Sequence, residues 1–319
     1  MRDFRAGPGW LHELKLDGYR VLAVVKGGRA RMYTRNGLDW THRFGPLPAA
    51  LERLLARSAV LDGEVVTLDA KGRTSFSELQ RVLSAQTRGA LRYIAFDLLE
   101  LDGRDLRASP LVERKAALAK LLAGAGPRLK VSQHLTQKGA ELYKNACKMA
   151  LEGVVSKRAD APYRSGRGTD WLKVKCRDEQ ELVVAGYTEP AGSRSSFGAL
   201  VLGVNDKGVL RHAGRVGTGF GQARLKSLHA RLHPLEIPDC PFATEPSRAQ
   251  TRGVHWVRPE VVAEVDFRGW TRDGLVRQAS FKGLREDKTA AEAARETPVE
   301  RTLHVTNPER VLYPELGLT

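Results

Sequence analysis

At Cys176 the pattern of apolar residues changes, and the two sides of the change call for different architectures. From Trp10 to Cys176 short strand-like runs alternate with stretches of helical spacing, which reads as α+β. Residues 11–16, 19–25 and 29–35 are brief runs parted by Asp17-Gly18 and Gly27-Gly28, with Asn36-Gly37 closing the third. They predict an antiparallel meander. Leu47, Leu51, Leu54 and Leu55 recur at helical spacing, as do Leu111, Leu118 and Leu122, where Ser109 is the expected N-cap and Pro110 the first helical residue. Ser75 and Glu78 make a capping box for a third helix that turns Phe76, Leu79 and Leu83 inward. Beyond Cys176 come five short strands, 181–187, 199–204, 209–216, 261–267 and 275–281, with glycine-rich turns and one helix at 222–233. That count predicts a small Greek-key barrel of the OB type, although other small barrels fit the same pattern.

The charge balance narrows the partner. Lys and Arg number 52 against 37 acids, a net +15, which favours a polyanion and nucleic acid first of all; a merely soluble basic protein has the same balance, so motifs must decide. Cys147, Cys176 and Cys240 lie far apart without a C-x-x-C pair, so no disulfide framework and no cysteine zinc site is expected, and a cytoplasmic location fits. No apolar run is long enough to cross a bilayer, and the first residues have no secretory apolar stretch.

The strongest local signal is Lys15-Leu16-Asp17-Gly18-Tyr19-Arg20. Alternation along a strand puts Glu13, Lys15 and Asp17 on one face and Trp10, His12, Leu14 and Leu16 on the other, so a lysine is presented between two acids. Alone, this fits a salt-bridged surface hairpin as well as it fits a nucleophile. Further segments add charged strand ends. Asp62 and Glu64 share a face, Glu152-Gly153 opens another strand, and Lys173 and Lys175 share a face in Trp171-Leu172-Lys173-Val174-Lys175. Carboxylates can hold a hard cation such as Mg2+, and lysines can meet phosphate.

Taken in order, the segments 15–20, 34–37, 61–66, 93–99, 152–158, 171–175 and 281–288 resemble the motif series of the covalent nucleotidyltransferases. Within that superfamily they are similar to ATP-dependent DNA ligases. The wording of Glu152-Gly-Val-Val-Ser-Lys-Arg158 and Ser280-Phe-Lys-Gly-Leu-Arg-Glu-Asp-Lys288 resembles the ligase module of bacterial ligase D, and Val305-Thr-Asn-Pro-Glu-Arg-Val-Leu-Tyr-Pro314 looks like the opening of its polymerase module. The resemblance implies a nucleotidyltransferase (adenylation) domain over residues 1–177, an OB-fold domain over 178–289, and a linker with the start of a polymerase module over 290–319.

It further implies ATP and Mg2+ or Mn2+ as cofactors, with Lys15 attacking the α-phosphorus. The Lys15 amine must be neutral to do so, and Lys173, Lys175 and a metal ion are expected to lower its pKa. By the same resemblance Glu13 reads the adenine amino group, and Phe96 stacks on the base, although plain core packing of Phe96 fits its pattern equally. Arg20 lies near the ribose and nick phosphate, Arg35 senses the 5′-phosphate, and Glu64 and Glu152 bind metal, with Asp17 and Asp62 weaker candidates. Lys173 and Lys175 contact the α-phosphate. Lys157 belongs to the nucleotide set too, yet strict alternation puts it on the face opposite Glu152, so a bulge or strong twist is expected. Arg285, Asp287 and Lys288 close over the nucleotide through a joint near residues 176–180.

The expected partners are DNA with nicks or double-strand breaks, Ku, and attached polymerase and end-processing modules, around a monomer in the bacterial cytoplasm near the nucleoid. The chain's start leaves no room for the N-terminal DNA-binding domain of larger ligases, so weak unaided DNA affinity is expected. Two rivals remain at this stage. One is an RNA ligase or capping-type guanylyltransferase; the other is a catalytically silent nucleic-acid-binding fragment, against which Lys15, Glu64, Glu152, Lys173 and Lys175 argue.

Overall fold

A computed structural model describes residues 9–69, 72–84, 91–165, 168–176, 178–190 and 196–295. The segment 305–314 that looks like a polymerase-module opening lies outside them. Three sheets carry the fold. The first has four strands in the order β10-β9-β1-β8, with β1 (Trp10–Lys15), β8 (His134–Leu135), β9 (Gly153–Arg158) and β10 (Trp171–Lys175). The second runs β3-β2-β4-β5-β6, made of β2 (Tyr19–Lys26), β3 (Arg29–Thr34), β4 (Ser58–Thr67), β5 (Leu91–Leu101) and β6 (Arg104–Asp105), with β7 (Leu129–Val131) parallel to β5.

The expected three-run meander is therefore corrected. β2 and β3 do pair as a hairpin, but β1 belongs to the other sheet. The crossing is made at Asp17-Gly18, where a Cβ on Gly18 would sit 2.8 Å from Val66 Cγ1, so only glycine lets the chain pass this close to β4. The second sheet packs under helices α1 (Leu47–Leu51), α2 (Phe76–Ser84) and α3 (Leu111–Leu121), which bring Leu47, Leu51, Phe76, Leu79 and Leu118 into one core with Val21, Met32, Leu61 and Tyr93. Helix α3 starts one residue later than expected: Pro110 is its N-cap and no side chain caps it. Helix α4 (Gly139–Lys148) lies against β9 and β1.

The third sheet has the order β13-β12-β11-β15-β14, with β16 paired to β15; its strands are β11 (Asp178–Thr188), β12 (Leu200–Asp206), β13 (Val209–Val216), β14 (Glu236–Ile237), β15 (Val254–Phe267) and β16 (Ser280–Leu284). The sheet curls until Phe281 N in β16 donates to Thr218 O, just past β13, at 2.9 Å. Helix α5 (Gln222–Leu232) plugs it with Leu225, Leu228 and Leu232, and the short α6 (Arg248–Thr251) precedes β15. This is the small OB-type barrel that the sequence predicts, with six strands in place of the expected five because the short β14 adds to the edge of β15, and with α6 beside the expected helix. The expected strand at 275–281 is corrected to Ser280–Leu284, because Gln278 has φ 49° and residues 275–277 instead turn back on Ala213, Gly269 and Thr271. Among the described residues no helix is long and apolar enough to cross a membrane.

Candidate active site

Register in the first sheet builds the site. Leu11, Glu13 and Lys15 of β1 stand opposite Lys157, Val155 and Gly153 of β9, which in turn face Trp171, Lys173 and Lys175 of β10. Directly paired residues share a face, so Glu13, Lys15, Lys157, Lys173, Lys175 and Trp171 project to the same side. His12 points the other way and meets Ser156 Oγ at 2.9 Å. The parity problem between Lys157 and Glu152 resolves without a bulge. Lys157 obeys alternation, and Glu152 escapes it, because the chain enters β9 through Gly153 at φ +150°, where a Cβ would lie 2.9 Å from Lys175 Cα.

Glu13 is buried and already held by three donors, one short of the roughly four a carboxylate can accept. It accepts from Lys115 Nζ at 2.7 Å, Ser132 Oγ at 2.7 Å and Lys157 Nζ at 3.0 Å. Burial alone would raise its pKa, but Lys157 and Lys115 outweigh that and hold the carboxylate ionised. Lys115 and Ser132 were not foreseen, since nothing local in α3 or after β7 marks them.

Beside this cluster, Lys157 Nζ lies 4.4 Å from the Phe96 ring centroid and 4.2 Å from that of Trp171, and the two rings meet edge to face at 5.7 Å. Phe96 is 8% exposed, so it is packed in this corner as its apolar pattern allows. Arg20 joins the same aromatic corner, its guanidinium 5.6 Å from both rings. Asp62 is the reason it stays there: it takes Arg20 Nε at 3.0 Å and Nη2 at 2.6 Å, and Tyr163 Oη at 3.0 Å. Asp62 thus anchors an arginine. Trp171 could have been found from its alternation with Lys173 and Lys175; Tyr163 had no such signal.

Lys15 sits in a nest of carboxylates. Its Nζ contacts Glu152 Oε1, and Glu64 and Glu264 act on it at longer range. Burial pulls the Lys15 pKa down, yet these three acids outweigh it and the net shift is upward. The lowering expected from Lys173, Lys175 and a metal ion is not met in the protein without nucleotide and metal, where the nearest charges are anions and Lys175 Nζ is turned to Glu179 O at 2.8 Å. Glu64 pays the counterpart. Burial pushes its pKa up to about 7, only partly opposed by Lys15 and Arg285.

Asp17, Glu152 and Glu264 bring oxygen atoms within 4.8 Å of one another, and Glu152 Oε2 is buried without a hydrogen-bond partner. An all-oxygen set with an unsatisfied carboxylate oxygen fits a hard divalent cation. Glu152 is thereby grouped with Asp17 and Glu264, and Glu64 is not in that group. Glu264 comes from β15 and had no motif to announce it.

The barrel closes over this face. Arg285 bonds Glu264 at 3.1 Å and Asp287 at 2.9 and 2.8 Å, and its guanidinium lies 5.1 Å from the Phe76 ring centroid of the first domain. Lys288 pairs with Glu181 of β11. Arg35 is exposed in the turn after β3, where its charge acts on Glu292, while its neighbour Asn36 donates to Asp287 O at 2.9 Å.

Comparison with known proteins adds the family context. The model for the ATP dependent DNA ligase domain matches residues 3–175, and that for the ATP dependent DNA ligase C terminal region matches residues 193–288. The multifunctional non-homologous end joining protein LigD of Pseudomonas aeruginosa is 45% identical over 293 residues, covering 91% of this chain and 35% of that protein. The LigD of Mycobacterium tuberculosis H37Rv is 39% identical over 289 residues, covering 90% of this chain and 37% of its own length. The chain thus spans about a third of the curated relatives it matches. A solved mycobacterial DNA ligase D complexed with ATP and MES aligns with a TM-score of 0.66 and 37% identity, over 93% of this chain and 96% of that one.

Proposed function

The chain belongs to the ATP-dependent DNA ligase family, and from that premise we propose that it seals 3′-hydroxyl/5′-phosphate breaks in DNA through a lysyl-AMP at Lys15. The observation that carries the reading is the sheet register that gathers Lys15, Glu13, Lys157, Lys173 and Lys175 on one face. A binding fragment has no need of a buried lysine held among acids.

The proposed sequence has three steps. Lys15 Nζ, once rid of its proton, attacks the α-phosphorus of ATP; an N–P bond forms, the bond to the bridging oxygen breaks, and pyrophosphate leaves. The 5′-phosphate oxygen of the break then attacks the phosphorus of the lysyl-AMP, the N–P bond breaks and the Lys15 amine is released; finally the 3′-hydroxyl attacks the 5′-phosphate, loses its proton and expels AMP. The Lys15–Glu152 pair must part first, because an ammonium has no lone pair to offer. Lys173 and Lys175 meet the charge on the α-phosphate, and Arg285 and Lys288 orient the leaving pyrophosphate while the barrel is closed. Glu13 and the Phe96–Trp171 corner take the base, Arg20 the ribose, and Arg35 the 5′-phosphate of the DNA. Asp17, Glu152 and Glu264 would hold a divalent cation, Mg2+ or Mn2+, which supplies positive charge against phosphate oxygens. Glu64, next to Lys15 in charge, completes the acidic wall.

We assign residues 1–177 to the nucleotidyltransferase domain, 178–289 to the OB-fold domain and 290–319 to a linker. We place the activity in bacterial non-homologous end joining, which the names of the LigD relatives support, and propose that the chain acts in the cytoplasm as a monomer beside Ku and attached modules. The test is incubation with α-labelled ATP and Mg2+ or Mn2+, followed by nicked DNA. Wild type takes up label and seals, while Lys15→Ala does neither; equal labelling of Lys15→Ala would sink the mechanism. Preference for GTP or for RNA nicks would redirect it to the related nucleotidyltransferases.

A further inference from the structure

We propose that Lys282 is a positioning residue for the adenylylation step, an ion-pair latch that seats the barrel on the nucleotidyltransferase domain beside Lys15; this rests on the function proposed above. Lys282 lies on β16, the last strand of the barrel, and its Nζ reaches across the seam to Asp17 Oδ2 at 3.1 Å while also holding Glu179 Oε1 of β11 at 3.0 Å. One ammonium thereby ties together the turn that follows Lys15, the first strand after the joint, and the strand that leads into Arg285 and Lys288. Its side chain is only 19% exposed.

Asp17 is a fixed anchor. Its Oδ2 accepts from Phe76 N at 3.0 Å and its own N donates to Thr74 Oγ1 at 3.1 Å, so the latch closes onto a held turn. Around it stand Asp17, Glu152, Glu179 and Glu264, from both domains. The Lys282 ammonium is the counter-charge these four carboxylates share across the seam in the protein without nucleotide and metal. Without it they face one another and repel. The neutral contacts nearby, such as Gln80 Nε2 donating to Leu284 O at 2.6 Å, set where β16 lands but do nothing to offset that charge.

Only the first step needs this closed pose, because DNA must enter for the other two. Lys282→Met and Lys282→Arg are therefore compared on two separable reactions: label uptake from α-labelled ATP with Mg2+, and closure of a nick that already carries a 5′-adenylate, without ATP. Lys282→Met is expected to slow label uptake by about tenfold or more and leave closure within about twofold of wild type, and Lys282→Arg to recover most of the labelling rate. Wild-type labelling by Lys282→Met, an equal loss in both reactions, or failure of Lys282→Arg to recover the rate each overturns the latch. If wild type itself takes up no label, it is the ligase reading that fails instead.

Discussion

Glu64 is an acid that the fold holds at a cost. Its pKa is pushed from an ordinary 4.5 to about 7, chiefly by burial. A carboxyl raised in the folded state binds more protons there than in the unfolded chain between those two values, so stability falls as pH rises through that window and stays reduced above it. Glu64→Gln, which copies the protonated form, should match wild type near pH 4.5 and exceed it at pH 8 by on the order of 2 kcal/mol. Urea unfolding of the nucleotide-free protein at both pH values checks this, and a gap that does not change with pH would refute it. The opposite case is Arg114, wholly buried with Asp97 in a two-point pair at 2.7 and 2.8 Å and capped by Ala161 O at 3.0 Å. Arg114→Met leaves Asp97, the neighbour of Phe96, charged and alone, and should cost about 3–5 kcal/mol in the same unfolding measurement. A loss under about 1 kcal/mol would mean that Asp97 finds another partner. Neither Arg114 nor Lys115 was legible in the sequence. Lys115 meets Glu13 across 102 residues, a pairing that no local pattern encodes.

At the level of elements, alternation was a reliable guide to which side chains share a face and a poor guide to which strands share a sheet. Glu13, Lys15, Lys173 and Lys175 could be read from parity alone; that β1 leaves β2 for β9 could not, since the crossing at Gly18 looks like any tight turn. For β15 the strand pattern is visible in the sequence only from residue 261. The strand runs on from Val254, since Pro259 falls where the register slips between Gly186–Trp256 and Val184–Val261, and a bulge asks no ladder bond of it. The cysteines were misread for a similar reason: Cys147 in the last turn of α4 and Cys176 just past β10 are bridged across 29 residues, so the expectation of no disulfide is corrected. The bridge joins the helix before Glu152 to the strand bearing Lys173 and Lys175. Closing a loop of that length should contribute about 3–4 kcal/mol by chain entropy. Reductant should lower the unfolding free energy of wild type by roughly that amount and leave Cys147→Ser unmoved. Equal unfolding curves with and without reductant would show that the bridge carries no stability.

For the whole molecule, the closed seam and the net +15 make opposing demands. A polyanionic duplex is drawn to the basic surface, but the face that carries Lys15 lies under β16 and the turn from Arg285 to Lys288. The seam carries ion pairs as well as neutral hydrogen bonds from Gln80 and Asn36. Besides Lys282, Arg43 of the first domain bonds Glu286 of the barrel at 2.9 Å, with both side chains about a third exposed, and Arg231 shares the same glutamate at 2.7 Å. Exposed pairs of this kind are individually weak and screened by salt, so they suit the joint that opens in the proposed reaction cycle. A covalent tether at the Arg43–Glu286 contact separates the two demands. In a Cys240→Ser background, Arg43→Cys with Glu286→Cys is joined by a short thiol crosslinker. The tethered protein should still take up label from ATP, since adenylylation uses the closed pose, and should fail to seal a nick that already carries a 5′-adenylate. The uncrosslinked double variant should do both. Sealing by the tethered form would mean that DNA reaches Lys15 without the barrel moving away, and that Arg285 and Lys288 stay over the site through all three steps.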